Sequence, residues 1–198
     1  MFRALADQLR SLEQALRATD QQKAVTAMEA LRGLSPDVER MQDAAKGAEE
    51  VVTIAPARWS RRQEFERYDW GVRHLVHVID DSQDLARRAA TALQYRERLP
   101  DDLATAVAAL ADAVDQLHRD VRQARPHDQT RRIALHAAAQ AGCAQAAGLD
   151  TFGAAVATQI RVAASDMLRT TGCSIDAANR RVRLATHLGR TRNGRHGG

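Results

Sequence analysis

Cysteine, proline and aromatic residues are scarce in this chain of 198 residues, and each scarcity closes off structural options. Cys143 and Cys173 stand far apart without a Cys-x-x-Cys partner, so neither a disulfide framework nor a structural zinc site is expected. A reducing, cytoplasmic setting fits two lone thiols. Two Trp, two Tyr and three Phe, set beside 39 alanines, starve a sheet of the residues it needs and favour helix, which excludes an all-β fold. Four prolines leave long stretches with no helix breaker. No run of about 20 strongly apolar residues is present. The nearest, residues 133–160, has Asp150 as its only formal charge but carries His136, Gln140, Gln145 and Gln159 and little Leu, Ile, Val or Phe. It reads as two closely packed helices in water. The first residues meet a charge every few positions, so no signal peptide is expected.

What is present is helical periodicity. Phe2, Leu5, Leu9, Leu12 and Leu16 alternate steps of three and four, which predicts an amphipathic helix over 2–18. Thr19 or Asp20 caps the next segment, and Ser35-Pro36-Asp37 is a helix-start signal. From Ser60 to Arg98, Phe65, Tyr68, Val72, Leu75, Ile79, Ser82, Ala86, Ala89 and Leu93 keep a heptad rhythm. At 1.5 Å per residue that helix would be roughly 55–60 Å long. Pro100-Asp101-Asp102 opens another helix, and three more are expected at 128–147, 150–171 and 174–189, with the small residues between Gly142 and Gly153 allowing close backbone approach. The predicted fold is all-α, an elongated antiparallel helical bundle forming one domain over 1–189. An Arg/Gly-rich tail over 190–198 is expected to be disordered.

Charge is unevenly placed. The formal net charge is +4, yet after Asp176 there is no acid, while Arg180, Arg181, Arg183, Arg190, Arg192 and Arg195 follow. Without those six the remainder carries a slight acidic excess. The tail has no interleaved aromatics and follows a near-neutral body, which argues against nucleic acid and leaves a flexible solubilising end or one lying near an anionic membrane surface.

Catalytic motifs do not emerge: there is no Gly-x-Ser-x-Gly elbow and no phosphate-binding loop. His74, His77, Asp81 and Asp84 form one stripe on the long helix, the sole ligand-like grouping. They lie nearly opposite the apolar stripe, and no Glu-x-x-His pair recurs on other helices, so a solvated polar face is the expected role rather than a metal site. No cofactor and no enzymatic activity are expected. Trp59, Tyr68 and Trp70 read as aromatic anchors of a helix junction.

The last third carries a motif. Gln159-Ile160-Arg161, a small-residue spacer, Asp166-Met167-Leu168-Arg169-Thr170-Thr171-Gly172 and Ile175-Asp176-Ala177-Ala178 resemble the closing segment of actinobacterial members of the fusaric acid resistance and aromatic acid exporter family, with Met167 and Thr170 as mild departures. Leu34-Ser-Pro-Asp37, Asp69 to Arg73, Leu85-Ala-Arg-Arg88 and the 101–121 helix are similar in order and spacing. The resemblance implies a cytoplasmic helical domain at the inner face of the cell membrane, acting as an accessory or oligomerisation unit of an efflux permease. Its partners would be a permease membrane domain or further copies of itself. Family members carry membrane helices ahead of this region, and none is legible here. A free-standing helical scaffold binding a protein partner is the alternative. Arg161 and Asp166, about 140° apart on a helix, cannot pair, whereas Asp166 and Arg169 can. With Gly172 as a cap, these residues read first as a structural clamp.

Overall fold

Proline-free, alanine-rich segments satisfy their backbone groups internally by coiling and then bury their one apolar stripe against neighbours. The computed structural model describes residues 1–40, 43–44 and 59–193, with the backbone alone for 59–75 and Asn193. Seven long helices order it: α1 (Phe2–Ala18), α2 (Gln21–Arg32), α3 (Trp59–Gln94), α4 (Asp101–Arg122), α5 (Asp128–Ala146), α6 (Thr151–Thr170) and α7 (Ile175–Asn193). Residues 35–40 and 43–44 are also helical. Among the described residues there is no strand, and the fold is all-α. None of their helices is long and apolar enough to cross a membrane.

The Leu5, Leu9, Leu12 and Leu16 stripe of α1 is buried, and α1 lies antiparallel to α4. Their polar rim shows the direction: Phe2 stacks on His118, Arg10 donates to Asp112 and Asp115 at 3.1 and 2.6 Å, and Arg17 reaches Thr105. Asp115 and Asp112 hold the Arg10 guanidinium protonated even more firmly than usual. On α3, which packs between α2 and α6, Ile79, Ser82, Ala86, Ala89 and Leu93 are all buried, as the heptad spacing predicts. Ser82 is tolerated there because its hydroxyl donates to the Val78 carbonyl at 2.6 Å. The expected side-chain positions of Trp59, Phe65, Tyr68, Trp70, Val72 and Leu75 lie outside the described residues.

Helix ends follow local chemistry. Asp20 caps α2 by accepting from the Lys23 amide, while Thr19 takes the left-handed conformation that ends α1. The long helix stops at Gln94, short of Arg98, where the chain turns through Arg96 at φ 53°. That turn frees Glu97, whose carboxylate accepts from the Phe152 and Gly153 amides at 3.0 and 2.7 Å and caps the start of α6. Asp150, the local candidate for that task, makes no side-chain cap bond.

The C-terminal helix departs from expectation. It continues to Asn193, so residues 190–193 belong to α7 and not to a tail; 194–198 lie outside the described residues. Gly189 is buried where α7 crosses α5, and its carbonyl accepts from the Cys143 thiol at 3.3 Å. Truncation after Asn193 is therefore expected to leave the melting temperature unchanged. Truncation after Leu188 removes Gly189 and the last turn of α7, and should cost about 1–2 kcal/mol, or roughly 3–6 °C by thermal circular dichroism.

Candidate functional site

The motif of the last third sits on α6, and the short turn to α7 lays those two helices side by side. The turn is made by Gly172 at φ +87°, a left-handed conformation that L side chains adopt only with strain. The Gly172 and Cys173 amides donate back to the Arg169 and Leu168 carbonyls. Arg131 of α5 seals the same end, donating to the hydroxyl and the carbonyl of Thr171 at 2.9 and 2.6 Å. Gly172 is thus a structural cap.

Between α6 and α7 runs a groove of about 500 Å³, whose walls include Arg161, Val162, Asp166, Arg169, Ile175 and Arg183. Ser165 donates to Asn179 across its floor at 2.8 Å. Asp166 and Arg169 pair at 2.8 Å, as their i,i+3 spacing predicts. Arg161 and Asp166 do not pair, yet they line the same groove. The Nε of Arg161 is buried and finds no acceptor, although buried polar atoms are normally satisfied. Val162 and Ile175 stay 42% and 55% exposed beside it. Three guanidinium groups against one carboxylate make the groove cationic, with apolar side chains next to the charge.

Behind the groove, α6 meets α3. The Asp81 carboxylate accepts from Gln159 Nε2 at 3.0 Å, while its Oδ2 is buried without a donor. Burial, then repulsion by Asp166 and a proton-mediated bond between the two carboxyls, push the Asp81 carboxyl up to about 7, against the smaller downward pull of Gln159. Two carboxylates cannot bond each other, so it is the protonated form of Asp81 that is favoured beside Asp166. Asp80 is also shifted up, chiefly by burial, with His77 opposing and Asp84 adding to the effect.

The structure therefore divides the polar stripe of α3. His77 faces solvent, Asp84 pairs with Arg87 at 2.8 Å, and the His74 side chain lies outside the described residues. Asp81 leaves the solvated face and turns onto α6. Among the described residues no group of three or more His, Cys, Asp or Glu is placed to hold a metal ion. A second polar centre escapes sequence reading. Asp120, 2% exposed, accepts from Gln116 and Thr130 at 2.7 Å each, fastening the end of α4 to the start of α5. Its local sequence, Leu117-His118-Arg119-Asp120, looks like an ordinary wet helix end.

No protein-family model matches the chain, and no solved structure matches it. It is 26% identical over 125 residues to an uncharacterized protein of Corynebacterium glutamicum, a match that takes in 60% of this chain and 32% of that protein. The chain thus spans about a third of its relative's length.

Proposed function

We propose that this chain is an assembly domain: a helical accessory or oligomerisation unit of an efflux permease of the fusaric acid resistance type, placed at the cytoplasmic face of the membrane. The observation that carries the assembly part is the α6–α7 groove, where Arg161 Nε is desolvated without a partner and Val162 and Ile175 stand exposed. A desolvated polar group beside uncovered apolar side chains is the pattern of a surface whose complement comes from another segment. The greater length of the C. glutamicum relative supports a place inside a larger assembly. The permease part rests on the motif around Arg161, Asp166, Arg169 and Gly172, whose first three members line that groove.

Light scattering on the purified chain at rising concentration tests the assembly reading. A mass above that of the monomer is expected, and Arg161→Glu should return the monomer without lowering the melting temperature. A strict monomer at high concentration removes self-association. A monomer that captures a soluble protein instead of a polytopic membrane protein favours the free-standing adaptor.

A further inference from the structure

We infer that the outer face of α7 is an interfacial surface that lies on an anionic lipid bilayer. The α5-facing side of α7 holds Ala178, Val182, Thr186 and Gly189, all buried. At 100° per residue the direction opposite them falls on Arg180 and Leu184, with Leu188 one turn further along. Leu184 and Leu188, two large aliphatic side chains one turn apart, are 60% and 57% exposed. Arg183 and Arg190 flank that line on one side and Arg181 on the other, all exposed. Asp176, in the first turn, is the only acid of the helix.

The arrangement has a specific chemistry. A leucine pair between rows of arginines lets the aliphatic groups enter the acyl boundary while the guanidinium groups reach back to lipid phosphates. A nucleic-acid backbone would use the same arginines but gain nothing from the leucines. Charge complementarity therefore points to an anionic surface, and the leucines select the bilayer among such surfaces. The sequence-based expectation of a basic tail is thereby moved onto an ordered helix, and Arg195 is not needed. This inference does not rest on the permease reading: a free-standing adaptor would dock by the same face.

The test is co-sedimentation of the full chain with phosphatidylcholine vesicles containing about 30% phosphatidylglycerol, set against pure phosphatidylcholine. Binding is expected only to the anionic vesicles, weakening as salt rises. Leu184→Ser with Leu188→Ser should weaken it by about tenfold or more, with an unchanged melting temperature because both side chains are already exposed. Arg180→Gln and Arg183→Gln should each cost about fivefold at low salt. A chain truncated after Asn193 should bind as the full chain does. The inference is overturned by no binding at low salt, by leucine substitutions without effect, by loss of binding on that truncation, or by tighter binding to duplex DNA that ignores the leucines.

Discussion

Gly142→Ala and Gly189→Ala should each destabilise the fold by about 2–3 kcal/mol, lowering the melting temperature by roughly 5–10 °C. The sign is the informative part, because in a helix interior the same change ordinarily stabilises by about 1 kcal/mol through propensity. Here α5 and α7 cross antiparallel with their backbones in direct contact. A Cβ on Gly142 would run into the Thr186 carbonyl, 2.9 Å from its carbon, and one on Gly189 into that of Ala139, 2.8 Å from its carbon. Neither obstacle is a side chain that could rotate away. The two helices must separate, which strips contact from Ala139 and Thr186 and from the Cys143 thiol bonded to Gly189. Both substitutions act on one crossing, so the double variant should cost clearly less than the sum. Thermal and urea unfolding of the three variants measure this, and a stabilised Gly189→Ala would show that the crossing opens freely.

That crossing also shows what the sequence makes legible. Alternating apolar steps place α1, α4 and the buried half of α3, because a stripe is a local property that the fold only has to cover. Close approach at Gly142 follows from its small neighbours, but its counterpart does not. Gly189 stands before an arginine-rich end and reads as the start of a tail; only contact with α5, nearly fifty residues upstream, turns it into a packing position. The same holds for Glu97, which caps a helix that begins more than fifty residues later, and for Asp120, whose partner Thr130 lies on the next helix. In the candidate site, Asp166–Arg169 is readable as an i,i+3 pair and Gly172 as a cap. The groove, and the turning of Asp81 onto α6, depend on which helices become neighbours, and periodicity carries no information on that.

Asp81→Asn should stabilise the chain above pH 7 and leave it little changed near pH 4. In the folded protein the Asp81 carboxyl holds its proton up to about pH 7, whereas the unfolded chain releases it near 3.8. Between those values unfolding liberates a proton, so stability falls as pH rises, and the fall ends once the folded form has also ionised. Asparagine reproduces the protonated state: its oxygen can accept from Gln159 and its amide can donate to Asp166, with no charge to desolvate. Each pH unit of the window corresponds to 1.36 kcal/mol as an upper bound, and solvent reaching the pair reduces the total to about 1–2 kcal/mol. The other carboxylates titrate in both proteins and cancel in the difference, so the diagnostic curve is variant minus wild type, rising from pH 4 and flat above 7. A difference independent of pH would mean that Asp81 is ionised throughout. Asp166→Asn removes the repelling charge and should lower the Asp81 midpoint, shrinking the same pH-dependent difference. The groups acting on the pair are Asp80 on α3 and Gln159 and Arg169 on α6, while His77 and Asp84 act on Asp80. Because Asp166 is held by Arg169 on its groove side and faces Asp81 on the other, ionising Asp81 adds a negative charge behind the cationic groove. Any acidic segment docked there should accordingly bind more tightly at pH 6 than at pH 8, and Asp81→Asn should abolish that difference.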